Sequence, residues 1–114
     1  MPNFIIEFSA SLEQQINQDK LMEHVFAGAE NCGHFPPQAI KIRTEKRDNY
    51  RLHDQQKDFL HVRAHILSGR TDEQKSEISN AVLSELKKLT LSSVFVSVEV
   101  VDIHRPSFVD YVYS

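Results

Sequence analysis

With one cysteine, three glycines and four prolines among its 114 residues, this sequence lacks the means for several common designs. A lone Cys32 closes no intramolecular disulfide, so the chain is expected in a reducing cytoplasm. Apolar runs stop after a handful of residues, against the roughly 20 that a membrane span needs. The N-terminal stretch has neither the basic region nor the apolar core of a secretory signal. Charge of one sign is scarce too. A formal net charge of −3 creates no field that would draw nucleic acid or an anionic membrane. There is no glycine-rich phosphate loop and no nucleophile elbow. What is present, 40% hydrophobic and 25% charged residues, suits one globular domain with a single core.

Periodicity divides that domain into two similar halves. Phe4, Ile6 and Phe8 fall on one face of an alternating pattern and predict a strand starting at Pro2. Ser9, Ser11 and Asn17 offer helix caps, and Leu21, Met22, Val25, Phe26 and Ala29 follow at helical spacing until Gly33. His34-Phe35-Pro36-Pro37 is a loop, after which residues 39–46 alternate again, with Ile40 and Ile42 opposite Lys41 and Arg43. The polar stretch 47–57 reads as a surface turn or hairpin. Residues 58–67 form a second alternating strand. Thr71 and Gln74 make a capping box for a helix running to about Leu89. A long strand over 94–103 and a short edge strand over 108–113 complete the chain. The expected fold is α/β: two strand–helix–strand units, about 2–47 and 58–104, forming a four-stranded mixed sheet with both helices on one face. A sheet covered on one side leaves the other side for a partner. Pattern alone does not separate this from other plaits, including a dimeric regulatory module.

Pro2 is chemically unusual. Initiator methionine is normally removed before a residue as small as proline, which would leave a secondary amine at the N-terminus. A free α-amine titrates near 8, and an apolar pocket with cations nearby lowers that value towards neutrality. Such a group can act as a general base. The plainer alternative is that Pro2 only starts an edge strand, where its missing N–H is harmless. Arg70 follows Gly69 at a strand-to-helix corner, where a guanidinium can hold a carboxylate with two hydrogen bonds. It can equally be a solvated turn residue.

Leu67-Ser68-Gly69-Arg70-Thr71-Asp72-Glu73-Gln74-Lys75 resembles the strand-to-helix corner of the 4-oxalocrotonate tautomerase superfamily. The N-terminal Met1-Pro2-x-Phe4-Ile5-x-Glu7, the Gly33-x-Phe35-Pro36 loop and His104-x-Pro106 are similar to the 5-carboxymethyl-2-hydroxymuconate Δ-isomerase family within it. The likeness spans nearly the whole chain. It implies a cofactor-independent, metal-free tautomerase that assembles as a homotrimer. It further implies Pro2 as catalytic base and Arg70 as the ligand of a substrate carboxylate. In the second half, the position equivalent to Pro2 falls near Leu60, which has no free amine. Where relatives carry a second arginine this chain has Lys41, which keeps the charge but not the planar donor fork. Arg43, on the same strand face, is a candidate to share its task of stabilising substrate oxygen. The implied substrate is an unsaturated 2-hydroxy or 2-oxo dicarboxylate, 5-carboxymethyl-2-hydroxymuconate, from bacterial breakdown of hydroxylated phenylacetates.

Rival readings are a tautomerase for another enol, such as a phenylpyruvate-like one, and a non-catalytic trimeric binding protein. His61, Arg63 and His65 share one strand face; an interface or solvated surface suits them better than a metal. Cys32 reads as a structural thiol, and the Glu45-Lys46-Arg47-Asp48 run and Lys87-Lys88 as solvated surface.

Overall fold

The computed structural model describes residues 1–53 and 55–114. Its regular elements are β1 (Asn3–Ser9), α1 (Gln18–Asn31), β2 (Lys41–Arg47), β3 (Asp58–Leu67), α2 (Asp72–Leu86) and β4 (Val94–Ile103). The sheet order is β2-β1-β3-β4. Each helix crosses over between parallel neighbours, β1 to β2 and β3 to β4, and the two units join through antiparallel β1 and β3. Both helices lie on one face and pack against each other, as the alternation predicts.

Local chemistry explains where the helices begin. The Asn17 side chain accepts from the Lys20 amide at 2.8 Å. At α2 the Gln74 amide donates to the Thr71 hydroxyl at 3.1 Å, while the Thr71 amide donates to the Gln74 side chain at 2.9 Å. These bonds satisfy backbone donors that a helix start leaves unpaired. The period-two pattern then does the packing. Phe4, Ile6 and Phe8 of β1 and Leu60, Val62, Ala64 and Ile66 of β3 are wholly buried beneath Leu21 and Val25 of α1 and Ile78 and Val82 of α2. Each large side chain buried this way contributes roughly 1.5–3 kcal/mol. Gly28 is where the helices touch: a Cβ there would lie 2.7 Å from the Val82 Cα.

Four expectations need correction. Helix α2 stops at Leu86; the Leu89 amide bonds the Leu86 carbonyl in a tight last turn, and the Leu89 side chain packs at the core's edge. Strand β2 starts at Lys41, because Pro37–Ala39 wind into a short 3₁₀ turn. The stretch 47–57 is not a hairpin, since β1 lies between β2 and β3 and the chain must pass its end; Asp54 lies outside the described residues. Nor is 108–113 a strand. Arg105–Ser107 form a 3₁₀ turn that carries the chain off the line of β4, and Val109, Tyr111, Val112 and Tyr113 stay exposed.

The sheet's other face carries no helix. On β4 it is mixed: Phe95 is 57% exposed, while Ser97 and Glu99 further along the strand bond His61 of β3. Towards β2 it holds charges, four of which are paired with one another. Arg47 Nε donates to Glu7 at 2.7 Å, Arg63 donates to Glu7 and Glu45 at 2.9 Å each, and Arg47 also reaches Glu45 at 3.1 Å. Glu45 and Arg47 are therefore members of a four-residue network and not simply solvated.

Candidate active site

Pro2, placed just before β1, is fully buried next to Met1. A cleft of about 130 Å³ opens there, lined by Met1, Pro2, Phe35, Ile66, Leu67, Arg70 and Arg105. Register explains this meeting. Because β1 and β3 are antiparallel, the start of β1 lies beside the end of β3, pairing Asn3 with His65. The chain leaving β3 turns at Gly69, whose φ of +126° is a conformation other residues rarely adopt. That turn delivers Arg70 to the same end of the sheet as Pro2.

Arg70 is held in a defined orientation. Its guanidinium carbon lies 4.7 Å from the centre of the Phe35 ring, and Nη2 donates to the His34 carbonyl at 3.2 Å. Phe35 in turn packs edge-on against Phe4 of the core, with ring centres 6.1 Å apart. The Phe35 loop thus fixes an arginine as well as ending α1. Most of the guanidinium's donors stay available, and among the described residues it forms no ion pair.

Lys41 sits at the start of β2, where its amide donates to the Pro2 carbonyl at 3.1 Å. Its ammonium bonds the Ala39 carbonyl and reaches the Met1 amine. Burial, followed by the Lys41 charge and hydrogen bond, lowers the pKa of that amine below its ordinary 8.0, while Asp110 opposes the shift. Arg43 does not line the cleft. It projects from β2 on the uncovered face, near enough to His65 for its charge, after burial and Arg63, to help lower the imidazole's pKa.

The weaker candidates separate clearly. His61 bonds Ser97 and Glu99 across to β4. Arg63 belongs to the glutamate network, and His65 buries an Nε2 that has no hydrogen-bond partner. Among the described residues no three His, Cys, Asp or Glu side chains cluster as metal ligands. Cys32 donates to the Ala29 carbonyl at 3.1 Å, and burial raises its thiol pKa.

Residues 2–103 match the family model for 5-carboxymethyl-2-hydroxymuconate isomerase. The chain belongs to this family. It is accordingly an isomerase. No curated protein sequence matches it. Its fold is similar to that of a 5-carboxymethyl-2-hydroxymuconate isomerase from Deinococcus radiodurans R1, with 20% identity and a TM-score of 0.78 over 96% of this chain and 88% of that one. A 5-carboxymethyl-2-hydroxymuconate delta-isomerase structure matches with a TM-score of 0.82 at 11% identity, over 97% and 88% of the two chains. A fused 4-OT symmetric trimer matches with a TM-score of 0.68 at 19% identity, over 89% and 86%. No described helix of the isomerase is long and apolar enough to cross a membrane.

Sequence reasoning missed Arg105, which lies between the recognised His104 and Pro106. It enters the cleft because Ser68 at the end of β3 pairs with Ile103 at the end of β4 through an amide–carbonyl bond of 3.0 Å. Arg105 then follows beside Ser68, and its Nε donates to the Ser68 carbonyl at 2.9 Å. Nothing local distinguishes this arginine from a solvated one. Strand pairing alone brings it to the corner.

Proposed function

We propose that this isomerase shifts the double bonds of an unsaturated 2-hydroxy or 2-oxo dicarboxylate, with 5-carboxymethyl-2-hydroxymuconate as substrate and Pro2 as base. The observation that carries this reading is that Pro2 and Arg70 line one cleft within a single chain. While Met1 is attached, the Pro2 nitrogen is an amide and accepts no proton. Removal of Met1 frees that nitrogen as a secondary amine. A neighbouring lysine and apolar surroundings favour the neutral amine, as they do at the Met1 amine.

In the proposed cycle Pro2 takes the proton from the substrate's 2-hydroxyl and returns it to a distal carbon. Electron density moves from oxygen through the conjugated chain: the C–O single bond becomes a carbonyl, the C=C bonds shift, and the distal carbon takes the proton. Lys41 stabilises the charge that builds on the 2-oxygen. Arg70 binds a carboxylate and fixes the reacting atoms relative to the proline nitrogen. These steps draw only on side chains and the N-terminus. Neither Lys41 nor Arg43 is in this cleft's lining; Lys41 acts on the Met1 amine beside it, and Arg43 follows two residues along the same face of β2.

The proposed assembly is a homotrimer formed through the uncovered sheet face. That face supports association because no described helix covers it, Glu7, Glu45, Arg47 and Arg63 on it are already paired, and Phe95 stands exposed at its β4 end. A symmetric trimer among the proteins of similar fold adds to this. The free Cys32 suits a cytoplasmic site of action.

Native mass spectrometry of untagged protein tests both parts together. The expected particle has about three times the 13.2 kDa chain mass, with each chain lacking methionine. Pro2→Ala, also processed, should lose about 100-fold or more in enol turnover. Retained methionine in an active preparation, or undiminished turnover by Pro2→Ala, would overturn proline catalysis. Retained methionine without activity would instead support a binding protein.

A further inference from the structure

We propose that Arg105 is a second carboxylate-binding residue, and that the pair Arg70 and Arg105 makes the site selective for a dianionic substrate. This inference rests on the isomerase reading of the cleft and adds a specificity element to it. Among the described residues, the two arginines are the only charged side chains lining the cleft, and neither forms an ion pair. Two guanidinium groups lining one cleft repel each other, and an anionic ligand between them relieves that repulsion. One carboxylate answers one guanidinium; a second carboxylate on the same molecule answers the other.

The two arginines are tethered in different ways, and each keeps donors for a carboxylate of its own. Arg70 lies over Phe35 and donates to the His34 carbonyl from one terminal nitrogen. Arg105 donates to the Ser68 carbonyl through Nε, leaving its terminal nitrogens uncommitted among the described contacts. A guanidinium held at Nε by backbone can still present paired N–H groups to a carboxylate. The Arg105 amide also donates to the Ser68 hydroxyl, at 3.3 Å, so Ser68 grips the arginine at main chain and side chain together. Gly69 leaves space for this arrangement, since even a Cβ there would stand 3.9 Å from Arg105 Nη2. Because Arg105 is exposed, holding it costs side-chain entropy that a solvated surface arginine would not lose.

The experiment compares a dicarboxylate enol, 2-hydroxymuconate, with a monocarboxylate enol, phenylenolpyruvate, on wild type and Arg105→Gln. The expected result is a KM about tenfold or more higher for the dicarboxylate, with the monocarboxylate KM changed by less than about twofold. Arg105→Lys, which keeps the charge but loses the planar fork, should recover part of the loss. Equal changes for both enols, or an unchanged dicarboxylate KM, would overturn the proposal. Calorimetry with muconate, a dicarboxylate without the reacting enol, reads binding independently of turnover. If wild type binds muconate, Arg105→Gln loses that affinity and neither turns over an enol, then the Arg105 assignment stands and proline catalysis fails. If muconate binds both proteins equally, the Arg105 assignment fails whatever the turnover.

Discussion

Gly28→Ala sets local preference directly against tertiary packing. In an isolated helix, alanine is favoured over glycine by about 1 kcal/mol, so sequence propensity alone makes the substitution stabilising. The contact with α2 reverses that expectation. A Cβ at position 28 would lie 2.7 Å from the Val82 Cα, 3.1 Å from the Ala81 carbonyl oxygen and 3.2 Å from the Val82 nitrogen. Carbon atoms pack comfortably at about 3.5–4.0 Å, so the helices must separate by roughly 1 Å. All three obstacles are backbone, so no side-chain rotation relieves them. Overpacking of this kind costs about 1–3 kcal/mol, and rigid obstacles favour the upper part of that range. Subtracting the propensity gain leaves a net loss of about 1–2 kcal/mol. Urea unfolding followed by far-ultraviolet circular dichroism should show the midpoint falling by about 1 M with an unchanged slope. A midpoint equal to wild type or higher would refute the reasoning and mean that α1 and α2 slide apart without loss.

Two further outcomes concern the site and the uncovered sheet face. Arg70→Ala should raise KM for a dicarboxylate enol by about tenfold or more, with a smaller change in kcat; steady-state kinetics reading an unchanged KM would remove Arg70 from substrate binding. Glu7 should make stability sensitive to acid. The Arg47 hydrogen bond leads the effects that hold its carboxyl below the ordinary 4.5, helped by the charges of Arg47 and Arg63 and opposed by burial. A carboxyl whose pKa is depressed on folding contributes stability above its unfolded value, and that contribution is lost as pH falls through the folded value. Urea midpoints measured from about pH 7 down to about pH 3 should therefore drop less steeply in Glu7→Gln than in wild type. Parallel curves would show that the network does not couple to folding.

The sequence alone determined those features whose physics is local. Alternation of Leu60, Val62, Ala64 and Ile66 set β3 and its buried face, and Thr71 with Gln74 set the start of α2, because a strand's pleat and a helix's first turn involve only near neighbours. The corner residues 67–75 and Pro2 made the family legible through their residue types and order. Tertiary structure decided what depends on distant segments. Sheet order β2-β1-β3-β4 ruled out a hairpin over 47–57 and joined Glu45 and Arg47 to Glu7 and Arg63. Antiparallel register brought Pro2 to Arg70, and the pairing of β3 with β4 added Arg105. Helix contact gave Gly28 its purpose, and the turn at Pro106 kept residues 108–113 out of the sheet. Arginine has no local signature for carboxylate binding. The role proposed for it rests on folding, which sets Arg70 and Arg105 in one cleft with Pro2 and, among the described residues, in no ion pair.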